Sequence, residues 1–403
     1  MSRPPRPPLR LSAFTAASCI GHGLEPTRAA LAGRRSGLAP CDFDDVRLPT
    51  WTGTVAGVDD QVLPARLKAW DCRNNRLAQL ALELDGFAGA VRATASRVGH
   101  GRVGVFVGTT TSGILETEQA YRSRDAQTGA LPATLNYRGS HNLYSPADFT
   151  RHYLQLEGPA TTVSTACSSS AKVFASAWRM IEAGLIDAAV VGGVDSLCLT
   201  TLYGFGSLDV LSPQPCRPYD AERSGISIGE AAAFVLLERP SPGGDAGAIL
   251  LRGVGESSDA HHMSAPHPEG LGARMAMEQA LAMAGVAPRD VGYINLHGTA
   301  TVANDAAEGK AVAALFGDEQ VPCSSTKGAT GHALGAAGAL EAVISALALQ
   351  HGVAWAGVHT QQRDAAIPVD YLLDNREQVT RLVLSNSFGF GGTNCSLLLG
   401  RAA

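Results

Sequence analysis

The chain has 403 residues, 45% of them hydrophobic, with 32 Lys and Arg against 37 Asp and Glu for a net charge of −5. That length suits two packed units or two repeats sharing a core, and the apolar share is too high for a disordered chain. The basic residues are dispersed, which argues against a nucleic-acid partner but leaves room for an acidic protein on a local basic patch.

In chain order, MSRPPRPPLRLSAFTAASCIGHG has a basic lead, but Ser12, Thr15 and Ser18 interrupt its apolar run, so it reads as a first strand and not as a signal peptide. No stretch holds the ~20 unbroken apolar residues of a membrane helix, and the expectation is a cytoplasmic protein. The eight cysteines are scattered without CxxC pairs or zinc spacing, as reduced thiols are. Short β-rich runs at 103–107, 188–194, 231–237, 293–296, 381–385 and 395–399 predict buried strands, most ended by glycine turns. Ala-rich segments at 168–183, 272–284, 305–315 and 335–350 predict helices between them, giving an α/β fold in alternating layers.

Each half of the chain carries a strand running into a short polar turn (TVSTACSSS and PCSSTKGATGH) that opens an Ala-rich helix ended by Gly184 or Gly352. On this echo alone, duplication and the general look of α/β turns are equally good accounts. The join RPSPGGDAG at 239–247 separates a first unit at 1–240 from a second at 248–403.

Cys167 stands where a β-branched run stops and small residues start a helix, a position whose free amides and dipole favour a thiolate and can hold an oxyanion. A buried structural cysteine fits that position equally well. His297 follows an apolar strand, the usual site position in an α/β sheet, and His332 stands at the mouth of the second Ala-rich helix, five residues after Lys327. Three such residues at element ends make a constellation. The glycine loop SNSFGFGGTN lacks the lysine of a phosphate loop; its amides would approach a reacting carbonyl while Phe388 and Phe390 shape an apolar pocket. His261, His262 and His267 lack a carboxylate partner or an HExxH helix and read as a polar loop, and no metal is expected.

Together TACSSS, AAVVGGVDS, RPYDAERSGISIGEAAAFVLLE, NLHGTAT, STKGATGHALGAAG and SNSFGFGGTN resemble, in order, the β-ketoacyl-acyl carrier protein synthases, condensing enzymes of the thiolase superfamily. The resemblance implies a thiolase-like fold, five layers (αβαβα) built from two duplicated halves and usually paired into dimers. It makes Cys167 the acyl-accepting nucleophile, His297 and His332 the pair assisting decarboxylation, and Lys327 part of a supporting network with Glu308 nearby. Amides of Cys167 and Phe390 would form the oxyanion hole, and Thr299 and Thr301 would contact a phosphopantetheine arm. Thr109, Thr110 and Thr111 replace glycine and an aliphatic residue beside the acyl pocket, which implies a more polar wall.

His332 stands where chain-initiating synthases have asparagine, so elongation from a carrier-bound malonyl unit is implied, with no cofactor beyond the carrier's arm. The GFGGTN loop lacks the second cysteine of a thiolase. The implied partners are an acyl carrier protein and a second subunit, in a homodimer or a heterodimer with a ketosynthase-like chain. Arg66, Lys68, Arg73 and Arg76 are candidates for carrier docking, although Asp209 stands where elongating fatty acid synthases commonly place a basic residue. SRPPRPPLRLSAFTAASCIGHG and DCRNNRLAQLAL resemble condensing enzymes of aryl-polyene pigment clusters. Two other readings remain: a non-catalytic subunit shaping a partner's pocket, opposed by the intact Cys167, His297 and His332, and a cysteine hydrolase, which would leave His332 and Lys327 unexplained.

Overall fold

The computed structural model describes residues 6–241, 246–317, 319–378 and 380–402. Residues 242–245 of the expected join, and the first five of the basic lead, lie outside them. Eleven strands make the path of the main sheet: β1 (Leu9–Ser18), β2 (Val103–Gly108), β3 (Ala160–Val163), β4 (Ala188–Asp195), β5 (Ala231–Glu238), β6 (Ile249–Ser258), β7 (Tyr293–Asn295), β8 (Pro322–Ser324), β9 (Asp370–Tyr371), β10 (Leu382–Gly389) and β11 (Thr393–Arg401). Their spatial order is β9-β8-β7-β10-β11-β6-β1-β5-β4-β2-β3.

The duplication that the sequence left open is visible in that order. In the first half β3, β2 and β4 run parallel, followed by antiparallel β5 and β1. In the second, β8, β7 and β10 run parallel, followed by antiparallel β11 and β6. The halves share one strand order and one set of directions, and among the described residues their sheets join where β1 pairs with β6, Leu9 with Leu251 and Arg10 with Leu250.

The Ala-rich segments are helices as expected: α1 (Ser169–Glu182), α2 (Leu271–Ala284), α3 (Val302–Phe316) and α4 (Ala337–His351). α1 and α4 pack on each other and on strands of both halves, which makes them the central layer. Small side chains let a helix approach two sheets at once, and every residue of Ala337–Leu349 in α4 is buried. Leu334–His351 has the length and apolarity of a membrane span, which the sequence reading did not credit, but nine-tenths of it is buried between the sheets. α2 and α3 cover the outer face of the second sheet, and helices at Arg73–Leu82, Phe87–Val98 and Ser145–Tyr153 cover the first, completing five layers.

β6 escaped the sequence reading because Arg252 and Glu256 break its apolar run. It alternates buried and half-buried positions along an antiparallel pairing.

Candidate active site

Cys167 lies between β3 and α1, one residue ahead of the helix N-cap Ser168. The preceding Ala166 has φ 51°, a left-handed conformation unusual for a residue with a Cβ, and it turns the thiol out of the strand direction. The serines of TACSSS hold that turn: Ser169 Oγ accepts from the Thr165 amide at 2.9 Å and donates to the Ala166 carbonyl at 2.5 Å, and Ser168 Oγ donates to the Thr165 carbonyl at 2.9 Å.

His297 follows β7 and His332 follows the short helix Lys327–Thr330. The fold brings both to the thiol from the other half of the chain: His332 Nε2 lies 3.1 Å from Cys167 Sγ, and the two imidazole rings stand edge to face at 5.3 Å. His332 is gripped through its backbone, its amide donating to Ser227 O at 2.7 Å and its carbonyl accepting from the Gly229 amide at 3.0 Å.

Lys327 is fully buried. Its Nζ donates to the His297 carbonyl and to Glu341, and lies 3.4 Å from His297 Nδ1. An ammonium can only donate, so Nδ1 of His297 accepts and Nε2 carries the proton. The carboxylate paired with Lys327 is therefore Glu341 and not Glu308. Glu308 instead accepts from the amides of His297 and Gly298, each at 2.8 Å, and from Asn386 Nδ2 at 3.2 Å, which fixes the backbone that presents His297. Sequence reasoning missed Glu341, although a lone acid in the otherwise apolar run GALEAVISALAL was a signal.

The electrostatics depart from the sequence expectation at the thiol. Burial pushes Cys167 up to about 11, outweighing the Lys327 charge and the amides of Phe390 and Cys167 itself, which pull the other way. The resting group is the thiol, because desolvating a charge costs more than the helix end returns. Burial also holds His297 well below the usual imidazole value, with Lys327 and then His332 adding to the effect, and His332 likewise with Lys327 as the second cause. Both histidines are neutral, and His332 faces the thiol as its proton acceptor. Burial raises Glu308 and Glu341 each to about 7, opposed at Glu308 by the two amides and at Glu341 by Lys327.

A cavity of about 110 Å³ opens over the three residues, and Thr299, Thr301, Phe388 and Phe390 are among the residues that line it. The Thr299 and Thr301 hydroxyls lie 3.0 Å apart, and Thr301 also caps α3. Gly389 has no room for a side chain, since a Cβ would stand 2.9 Å from Thr165 O and 3.3 Å from the Cys167 amide. That close approach brings the GFGGTN loop onto the nucleophile. Sequence reasoning also missed the far wall, where Asn394 Nδ2 donates to Asp259 at 2.8 Å.

Thr109 and Thr111 are a correction. Their hydroxyls point to Asp195 at 2.6 and 2.9 Å, and neither residue lines the Cys167 cavity, so they do not make its wall polar. Arg73 is a second correction: it is buried, its guanidinium held by Glu230 and Asp59, and a docking protein cannot reach it. Arg76 is half-buried against Asp71, while Arg66 and Lys68 are exposed.

Sγ of Cys167 and one ring nitrogen each of His297 and His332 lie within 4.8 Å of one another, a spacing a metal ion could bridge, but the Lys327 ammonium beside His297 opposes a second cation there.

Residues 77–242 match the model of the β-ketoacyl synthase N-terminal domain and 249–361 that of the C-terminal domain. A 3-oxoacyl-[acyl-carrier-protein] synthase 2 from Vibrio cholerae is 31% identical over 95% of this chain and 96% of its own length. The chain belongs to the β-ketoacyl synthase family. A synthase of the same description from Rhizobium meliloti is 42% identical over 61% of this chain, and that alignment spans 62% of the rhizobial protein. Among β-ketoacyl synthase structures, a chain of the Xenorhabdus doucetiae ketosynthase ApeO in complex with its chain length factor ApeC superposes with a TM-score of 0.88. It is 40% identical, over 98% of both chains. The ishigamide ketosynthase/chain length factor superposes with a TM-score of 0.86 at 28% identity, over 99% of this chain and all of that one.

Proposed function

We propose that the chain is an elongating β-ketoacyl-[acyl carrier protein] synthase that joins an acyl group held on Cys167 to a malonyl unit on a carrier. The observation that carries this reading is the pair of neutral histidines over one buried thiol, with Lys327 fixing His297 as a donor. A hydrolase needs one histidine oriented by a carboxylate; here the second histidine and the lysine both have work.

In the first half-reaction His332 Nε2 takes the Cys167 proton as the sulfur attacks the acyl thioester, and the proton leaves on the carrier's thiol. Amides of Cys167 and Phe390, which both bear on the sulfur, receive the oxyanion. In the second, the malonyl carboxylate leaves as carbon dioxide, and its electron pair forms an enolate whose oxygen accepts from His297 Nε2–H and from His332 in its Nε2–H tautomer. The enolate carbon attacks the acyl-cysteine, the C–S bond to Cys167 breaks as the β-ketoacyl carrier forms, and the released thiolate takes a proton from solvent, the one proton the overall reaction consumes.

The substrates arrive on a phosphopantetheine arm, and no further cofactor is invoked. The partners are an acyl carrier protein and a ketosynthase-like second subunit, supported by the complexes of ApeO and of the ishigamide ketosynthase with chain length factors. A polyene-type acyl chain is the reading that the two N-terminal segments support, and the scattered, unpaired cysteines support a cytoplasmic setting.

The test separates the half-reactions. Intact-mass measurement of the protein with its partner and an acyl-carrier thioester should show one acyl adduct, mapped to Cys167. Cys167→Ala should take no adduct yet still release carbon dioxide from malonyl-carrier protein. His332→Ala should lose that release by roughly 10²-fold, the scale of one oxyanion-type donor. Full carbon dioxide release by His332→Ala would remove the residue from the mechanism and reopen chain initiation.

A further inference from the structure

Asp195 ends β4 and is buried, and among the described residues it forms no ion pair; its carboxylate is instead surrounded by donors from two separate segments. From the turn after β2 come the Thr109 hydroxyl at 2.6 Å, the Thr110 amide at 2.8 Å and hydroxyl at 2.6 Å, and the Thr111 amide at 3.0 Å and hydroxyl at 2.9 Å. From the segment carrying the second histidine comes the Gly335 amide at 2.6 Å. Burial raises the Asp195 carboxyl above its ordinary value, with these hydrogen bonds opposing the rise, and the six bonds bind their donors into one rigid unit.

The second segment needs holding. Leu334, two residues after His332, sits at φ 49°, a left-handed conformation that is strained for a residue with a β-carbon. Gly335 follows it with no space for a side chain, because a Cβ would lie 2.8 Å from Asp195 Oδ2 and 3.0 Å from the Thr110 amide. On the other side His332 is fixed by Ser227 and Gly229. The imidazole is thus clamped from both directions, and its 3.1 Å reach to Cys167 Sγ depends on both grips.

We propose that Asp195, with the Thr109, Thr110 and Thr111 hydroxyls and the Gly335 amide, is a positioning device that sets His332 on Cys167. The inference deepens the condensing reading, in which His332 serves both half-reactions. It explains three consecutive threonines in a buried turn, where one hydroxyl would satisfy a packing role. Asp195 does not line the cavity, although its charge is a minor cause that raises the Cys167 thiol; the Thr110 variants leave that charge in place. It acts through Gly335.

The experiment uses Thr110→Val, which is nearly isosteric but removes one hydroxyl, with Thr110→Ser restoring it, alongside Asp195→Asn and Gly335→Ala. Each is read by the iodoacetamide rate at Cys167 from pH 6 to 10, by the rate of acylation, and by Tm. A misplaced general base should cut neutral-pH alkylation and acylation of Thr110→Val by about tenfold, within the 10²-fold scale of an ångström's misplacement, and Thr110→Ser should recover most of it. Rates at pH 10, where hydroxide replaces the base, should change far less. A folded Thr110→Val or Asp195→Asn with a lowered Tm and an unchanged pH–rate profile would overturn the proposal, leaving the knot as support only. Alkylation needs no carrier substrate. A shifted profile in a protein that condenses nothing would therefore sink the condensing reading and leave the positioning role standing.

Discussion

At Cys167, His297 and His332 the deciding quantity is desolvation. Both imidazoles are held well below their ordinary 6.5, so the neutral donors persist at pH values where a free imidazole is mostly protonated. Malonyl decarboxylation should stay flat from pH 8 down to about 5.5, through and below the ordinary imidazole value of about 6.5. An acid limb centred at 6.5 in the rate profile of the complex would contradict the burial. The same depression links to folding. Below pH 6.5 the unfolded chain binds protons that the folded one refuses, so stability falls as pH drops through that window. Cys167 acts at the other end: raised to about 11 from an ordinary 9.0, it keeps its proton when the unfolded chain has lost it, and stability falls as pH rises past 9. Glu308 and Glu341, raised to about 7, act against the histidines in the acid window, so the alkaline fall is the one to measure: the denaturant midpoint should drop between pH 7.5 and 10.

α4 carries more than its place in the core. It sets Glu341 against Lys327 in the same helix that packs both sheets, so a catalytic support and a structural beam are one element. Replacing Glu341 with Ala should leave a buried ammonium uncompensated and cost about 3–5 kcal/mol, the range for one lost partner of a buried pair. Glu341→Gln, which keeps an acceptor, should cost less stability yet still slow decarboxylation, because Lys327 would be freer to leave His297 Nδ1. Urea denaturation and carbon dioxide release on the two variants separate these effects. Equal activity in Glu341→Gln and the parent would mean that the Lys327 position does not need the charge. The resemblance named Glu308 for the supporting network and was silent on Glu341, which lies 14 residues beyond Lys327. In space α3 turns Glu308 toward the His297 backbone while α4 delivers Glu341.

Across the whole molecule, charge decides where the proposed carrier protein would dock. Arg66 and Lys68 are exposed, whereas Arg73 is spent on Glu230 and Asp59 inside the fold. Reversing Arg66 and Lys68 to Glu should raise KM for the carrier-bound substrate several-fold with kcat little changed, and added salt should reproduce the effect on the parent. No change in KM between the reversed variant and the parent would move the docking face elsewhere. Arg73→Glu should behave differently, lowering Tm or soluble yield, since it sets two acids against each other at a buried position.

What the sequence determined by itself lies where chemistry is local. Period and composition marked all four Ala-rich helices and six strands of the main sheet to within a few residues, because burial between layers demands apolar runs ended by glycine. The motifs also marked Cys167, His297, His332, Lys327, Thr299, Thr301, Phe388 and Phe390, which the fold brings to one cavity or its support. Tertiary structure alone decided the rest. Duplication was ambiguous in the echo of two turns and became visible only in matching strand order, since pairing between distant segments leaves no local trace. The partner of Lys327, the turning of Thr109 and Thr111 to Asp195, the burial of Arg73 and the protonated state of Cys167 all depend on which distant groups desolvate or bond a side chain. Those energies are set by the three-dimensional neighbourhood, and the spacing of residues along the chain does not carry them.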